Sequence, residues 1–172
     1  MRAEDEAGGD EGGEAPCFAH LLEDAPAVDE GFLADLVGEL ADAVVVADAE
    51  GTIIYWNRAA TRIFGWTVEE AVGRSLDIII PERLRSRHWA GYAEVMATGR
   101  TSYGDRLLEV PALRRDERDL SIAFTVTLVR RPGETRPCAI AALIRDDTER
   151  WQERRRMKKR LAALEATGTD DT

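Results

Sequence analysis

The chain has 172 residues, 44% of them hydrophobic, which suits one domain with tails around a single core. Cys17 and Cys138 lie far apart, so they exclude a disulfide framework or a CxxC metal site and favour a reducing cytoplasm. No uncharged apolar stretch approaches roughly 18 residues, and no basic start precedes an apolar run, so we expect neither a membrane span nor secretion.

The net charge of -10 is distributed unevenly along the chain. Residues 1–30 carry ten acidic residues and one arginine, and we predict a disordered acidic tail over 1–28. The basic segment 154–160 has no interleaved aromatic residues, so it is typical of a solvated helix face and does not indicate nucleic-acid binding.

The first half of the chain changes from helical to strand periodicity and back. Apolar spacing predicts a short helix over 29–41. Two runs rich in β-branched residues then surround Asp48-Ala49-Glu50-Gly51, which predicts a hairpin. Short helical pieces are expected over 58–80, and Thr67 and Glu70 have the spacing of a capping box.

A longer helix is predicted between Pro81 and Gly99, because proline favours a helix start and glycine a helix end. Helical spacing places five residues on one stripe: Leu84, His88, Gly91, Tyr92 and Val95. His88 therefore lies among apolar neighbours. A histidine in such a place is commonly a core residue hydrogen-bonded to a carbonyl, and it is alternatively a metal ligand.

After Gly99 the period changes to two, which predicts strands over 105–113, 119–130 and 137–144. With the hairpin, these strands form an α+β fold: a five-stranded antiparallel sheet with helices on one face. The last helix is expected over 147–165, with a disordered tail at 166–172. Its apolar seam, which includes Trp151, Leu161 and Leu164, is too short for an isolated coiled coil.

Three stretches resemble the PAS family: DAVVVADAEGTIIYWNRAATRIFGW, EEAVGRSL and AALIRDDTER. The resemblance implies a PAS fold over 42–146, flanked by an N-terminal helix at 29–41 and a signalling helix at 147–165. The junction Arg145 to Thr148 would pass a movement of the sheet to the last helix. PAS domains sense ligands, bind partners or dimerise, so the fold alone does not define the function.

The stretch PERLRSRH, with Thr98-Gly99 beyond it, is similar to the long helix of haem-binding oxygen-sensing PAS domains of the FixL type. That resemblance implies that His88 ligates the iron of haem b, with Gly91 and Tyr92 beside it. The opposite wall would consist of apolar strand residues, namely Ile122, Phe124, Val126, Ile140 and Ala142.

One position departs from the FixL-type pattern. The family has an arginine on the strand after the helix, whereas alignment places Leu108 there and Arg106 only near by. With Leu108 in the pocket, carbon monoxide, nitric oxide or a redox change is a better candidate signal than oxygen. Arg87, Arg100 and Arg106 are candidate partners of the haem propionates, and Met96 is a candidate sixth ligand, although core filling explains it better.

Several alternatives remain for the function. The chain has no Walker loop and no nucleophile–histidine set, so we expect no enzyme activity. Flavin photochemistry is disfavoured because Cys138 lies in a predicted strand rather than on the helical side. We therefore expect a stand-alone homodimeric sensor that binds haem and relays to a separate kinase or regulator. The alternatives are a cofactor-free dimerisation and docking module, or a domain that binds a small apolar or flavin ligand.

Overall fold

The computed structural model describes residues 29–101 and 106–168. The predicted acidic tail at 1–28 and the residues 169–172 lie outside this part of the chain, as does the predicted start of the third strand at residue 105.

Among the described residues, five α-helices and five strands follow one another in an order that matches the sequence prediction. Their bounds are α1 Glu30–Glu39, β1 Ala43–Asp48, β2 Ile53–Trp56, α2 Arg58–Phe64, α3 Val68–Ala71, α4 Glu82–Thr98, β3 Leu108–Leu113, β4 Asp119–Val129, β5 Ala139–Asp146 and α5 Thr148–Gly168. A short 3-10 helix, Leu76–Ile78, precedes α4. The predicted limits of α4 are confirmed, with Pro81 and Gly99 as its two caps.

The described strands form one antiparallel sheet with the order β2-β1-β5-β4-β3. The fold class predicted from the sequence is therefore confirmed. The core lies against the half of the sheet under α2 and α3, where Ile53 and Phe64 are fully buried. The rings of Trp56 and Phe64 pack there at 5.3 Å between centroids.

Asn57 connects the first helix, the hairpin and the second helix. Its side-chain oxygen accepts hydrogen bonds of 3.0 Å from the backbone N–H groups of Val44 and Ala60, which caps α2. Its amide nitrogen donates to the carbonyl oxygens of Val37 and Asp42, both at 3.1 Å. The capping box of Thr67 and Glu70 at α3 is also present, as the spacing predicted.

Element limits differ from the predicted ones by a few residues. The third strand begins at Leu108, and the fifth runs over 139–146 rather than 137–144. The last helix continues to Gly168, so the predicted tail at 166 begins too early. Pairing explains the shift of β5, because its register with β4 extends from Ala139 to Asp146, whereas its register with β1 ends at Ile144.

Candidate ligand site on helix α4

Helix α4 is fixed to the sheet at both of its ends. Just before it, the Ile79 carbonyl oxygen accepts a 2.9 Å hydrogen bond from the N–H of Leu113, the last residue of β3. At its other end, the guanidinium of Arg130 donates to the Gly99 carbonyl oxygen at 2.8 Å. The helix is thus held by its ends, and of its residues only Tyr92 is buried.

His88 lies near the middle of α4 and is half-buried. Its Nδ1 atom is buried, and no described residue forms a hydrogen bond with it. Burial lowers the pKa of His88, while the carboxylate of Asp77 opposes this shift, so the imidazole is neutral near pH 7. A neutral imidazole with an unpaired nitrogen is free to act as a ligand, and a buried nitrogen without a partner is energetically costly.

The aromatic neighbours of His88 hold α4 to the hairpin. Its ring contacts those of Trp89 and Tyr92, at 4.9 and 5.8 Å between centroids. The Nε1 atom of Trp89 donates a 2.9 Å hydrogen bond to the Asp77 carboxylate. The Tyr92 hydroxyl donates to the carbonyl oxygen of Asp48 at the end of β1. The rotation of the helix about its axis, and with it the direction of His88, is therefore fixed on this side.

The predicted apolar wall lies on one face of the sheet. Register places Phe124 opposite Ile144, Val126 opposite Ala142, and Leu128 opposite Ile140, so these residues share the face that carries the core. Ile122 is buried within that core. In contrast, four of the predicted wall residues are only half-buried: Phe124, Val126, Ile140 and Ala142. The part of the sheet next to the core is thus incompletely covered.

The remaining candidate residues take different positions. Leu108 is half-buried and pairs with Phe124, on the inner face. Arg106 precedes β3 and is exposed, as are Arg87 and Arg100. Met96 is half-buried. Gly91 is exposed, and a Cβ atom there would meet no atom within 4 Å, so the structure shows no steric need for glycine at this position.

Sequence reasoning missed Trp89, Asp77 and Gly51 as parts of this site. A Cβ atom on Gly51 would lie 2.2 Å from the Trp89 ring, so the helix presses directly on the hairpin turn. The contact of Trp89 with the predicted turn is a tertiary contact between residues 38 positions apart in the chain. Hydrophobic periodicity within a segment cannot predict such a contact. Two surface cavities of the described residues lie elsewhere, and neither is lined by His88.

The junction between β5 and α5 is held by charged groups. Asp147 is only 5% exposed, and its carboxylate lies 2.6 Å from the guanidinium of Arg154. The same guanidinium lies 2.7 Å from the carboxylate of Glu109 on β3. The Thr148 hydroxyl accepts a 3.1 Å hydrogen bond from the N–H of Ser121 on β4. The start of α5 is thus attached to both neighbouring strands.

Residues 31–149 match the family model described as PAS fold, and the chain belongs to the PAS family. PAS domains are typically sensory rather than catalytic. Its solved neighbours include a PAS domain from Colwellia psychrerythraea, with a TM-score of 0.59 at 20% identity over 68% of this chain and 95% of that one. An RNA-binding light-oxygen-voltage receptor gives a TM-score of 0.61 at 23% identity over 80% of this chain and 38% of that one.

Two curated proteins are similar to this chain in sequence. An uncharacterized protein of Azorhizobium caulinodans is 38% identical over 119 residues, which is 69% of this chain and 16% of the relative. The sensor protein FixL of Bradyrhizobium diazoefficiens is 28% identical over 139 residues, or 78% of this chain and 26% of that protein. The match to this sensor supports the FixL-like resemblance seen in the sequence. The chain therefore spans about a quarter or less of these relatives.

No helix among residues 29–101 and 106–168 is long and apolar enough to cross a membrane. The same residues contain no cluster of three or more His, Cys, Asp or Glu side chains able to hold a metal ion.

Proposed function

We propose that this PAS domain binds haem b through His88 and senses a diatomic gas or a redox change. The observation that carries the proposal is the half-buried, neutral imidazole of His88, whose Nδ1 atom has no hydrogen-bond partner among the described residues. The 28% identity to the sensor protein FixL supports it, as does the resemblance of the PERLRSRH stretch, which ends at this histidine. When bound, haem would supply an iron centre that takes up small ligands or changes its charge.

The predicted wall residues on the inner face of the sheet would supply an apolar surface for that group. Phe124, Val126, Ile140 and Ala142 are half-buried on the inner face, so apolar area is available for a flat macrocycle. Leu108, opposite Phe124, places a side chain without a hydrogen-bond donor on the same face. Oxygen sensing benefits from such a donor, so carbon monoxide, nitric oxide or redox change is the better candidate signal. The exposed Arg87, Arg100 and Arg106 are candidate partners for the propionates.

The signal would leave the domain through β3 and α5. Leu108 and Val110 lie on the inner face of β3, and Glu109 between them holds the guanidinium of Arg154 on α5. A ligand that displaces this strand would therefore move the attachment point of the helix. The ion pair of Arg145 with Asp42, at 2.6 Å, adds a second connection beside the junction.

The proposal is tested by absorption spectroscopy on the full chain reconstituted with haem. The wild type should show the Soret band that is typical of haem with a histidine ligand, and the His88→Ala variant should lack this band. His20→Ala is the matched control, because it removes the other histidine of the chain and should leave the spectrum unchanged. A His88→Ala spectrum identical to that of the wild type would exclude His88 as the ligand.

The exposed apolar faces of both terminal helices support a homodimer that relays to a separate kinase or regulator. Phe32, Leu33 and Leu36 on α1 are 44%, 48% and 51% exposed, and Met157 and Leu161 on α5 are 69% and 59% exposed. Sedimentation should give a dimer that Leu36→Glu weakens, whereas Val72→Glu, at an exposed position outside both helices, should not. The proposal also places the protein in the cytoplasm, where unpaired cysteines stay reduced.

A cofactor-free docking module is the second candidate function. It is favoured by the ring contacts of Trp89 and Tyr92 with His88, which occupy part of the space beside the imidazole. Purified protein that stays colourless after haem is added, and still forms the dimer, would support this candidate. A bound flavin or apolar ligand would instead be released on denaturation and identified by mass spectrometry.

A further inference from the structure

A second candidate site lies on the surface beside the first turns of α4, and His88 does not line it. A cavity between the 3-10 helix, the start of α4 and the β3–β4 turn is lined by Trp66 and by an arginine cluster, Arg74, Arg83, Arg85, Arg114 and Arg115. Three acidic residues, Asp77, Glu82 and Glu117, lie along the same cavity. The arginines outnumber the acids, so the lining carries net positive charge.

Most guanidinium groups of the arginine cluster are held in place by the protein. Arg114 donates to the carbonyl oxygen of Ile63, and Arg85 donates to the Asp77 carbonyl oxygen at 3.0 Å. Arg115 lies 2.6 Å from the Glu70 carboxylate. Each guanidinium has five N–H donors, and these contacts use only some of them. The cluster is thus pre-organised and retains donors for a ligand.

Two members of the cluster have no compensating charge. Arg74 stacks on the Trp66 ring at 4.8 Å, and within the described chain neither Arg74 nor Arg83 has an acidic group within ion-pair distance. The Asp77 carboxylate is already engaged by Trp89 at 2.9 Å and Arg85 at 3.6 Å. Solvent usually compensates a single surface charge. Two arginines that line the same concavity instead favour the binding of an anion with several acceptor oxygens.

We propose that this cavity binds a phosphate monoester, carried either by a small molecule or by a phosphorylated side chain of a partner. A phosphate dianion presents three acceptor oxygens, which match the forked donors of several guanidiniums better than a single carboxylate does. The first turn of α4 borders the cavity, and the positive end of its dipole adds a field of the same sign. His88 does not line this cavity, although Asp77 borders it, and the proposal needs no haem.

The test is a titration of the full chain with phenyl phosphate at constant ionic strength, followed through the indole N–H resonances. The Trp66 resonance should shift and saturate, with a dissociation constant in the millimolar range or below, and binding should be tighter at pH 8 than at pH 5.5 because the dianion predominates. The double variant Arg74→Gln/Arg83→Gln should weaken binding at least tenfold. The matched control, Arg131→Gln/Arg136→Gln, removes two exposed arginines of the β4–β5 turn and should not change it.

Three results would overturn the site. The first is a shift of the Trp66 resonance of the same size with sodium chloride alone. The second is an equal loss of phenyl phosphate affinity in both double variants. The third is binding of a peptide of residues 1–28 without binding of phenyl phosphate. A phosphoserine pentapeptide in a parallel titration distinguishes the sources: tighter binding than phenyl phosphate assigns the site to a protein partner, and weaker binding assigns it to a small molecule. Both double variants change exposed side chains, and their amide spectra report whether the fold is intact.

Discussion

The hydroxyl of Tyr92 donates a 2.5 Å hydrogen bond to the carbonyl oxygen of Asp48, which joins the centre of α4 to the end of β1. The same hydroxyl lies 3.2 Å from the carbonyl oxygen of Ala47. Burial, together with the carboxylates of Asp48 and Glu50, raises the pKa of Tyr92 to about 12. The phenol of Tyr92 therefore stays protonated, and remains a hydrogen-bond donor, across the pH range in which proteins are usually studied.

Tyr92→Phe removes this donor while keeping the ring in place. We expect a loss of about 1 kcal/mol in the free energy of unfolding, because the carbonyl oxygen of Asp48 loses this donor and keeps the N–H of Gly51. Urea denaturation measures the change. Tyr55→Phe is the control, since the Tyr55 hydroxyl forms no hydrogen bond with any described residue, and it should cost less than about 0.5 kcal/mol. Equal losses in both variants would contradict a structural role for the Tyr92 bond.

Gly51→Ala and Gly73→Ala separate backbone strain from a steric clash. Both glycines have positive φ, +82° and +83°, so alanine is strained by about 1–2 kcal/mol at either position. Only at Gly51 would the new Cβ meet a side chain, the Trp89 ring at 2.2 Å. We expect Gly51→Ala to be the more destabilising by at least about 1 kcal/mol, and a second substitution, Trp89→Leu, to recover part of that difference. Equal melting temperatures for the two glycine variants would show that α4 does not press on the turn.

The pH dependence of stability should contain a contribution from His88. Burial lowers its folded-state pKa below the unfolded value of 6.5, so below pH 6.5 the unfolded state binds more protons than the folded state. Stability is therefore full above pH 6.5 and falls as the pH drops towards the folded-state pKa. Urea denaturation between pH 8 and pH 5 on haem-free protein measures the fall, which should be smaller in His88→Gln. The same slope in wild type and variant would assign the loss to other groups.

Arg154→Gln should destabilise the protein and loosen α5. The substitution leaves the Asp147 carboxylate, which is 5% exposed, with only the exposed Arg150 at 3.9 Å. Because Arg154 itself is 42% exposed, we expect a smaller loss of stability than for a fully buried pair. Faster hydrogen exchange in the first turns of α5 is the specific readout. Arg58→Gln is the control, because its pair with Glu39 is exposed on both sides, and a similar exchange increase in this variant would exclude a specific role for Arg154.

Local sequence patterns were sufficient to predict most of the helices, strands and turns of the fold. The Asp48–Gly51 reversal, the capping box at Thr67, and the Pro81 and Gly99 ends of α4 each depend on the conformational preferences of a few adjacent residues. The strand alternation also placed Leu120, Ile122 and Phe124 on one face, because the period of two is set by the backbone. The end of β5 was misplaced, since it depends on pairing with β4, and so was the end of α5.

The sequence by itself determined the order of helices and strands, the α+β class, and the position of His88 within an apolar stripe. Only the tertiary structure decided what surrounds that histidine: Trp89 fixed by Asp77, Tyr92 bonded to the hairpin, and a buried nitrogen without a partner. It alone also brought together the arginines around Trp66. The reason is physical. Secondary structure follows from the interactions of neighbours in the chain, whereas a site depends on distances between segments that no local interaction sets.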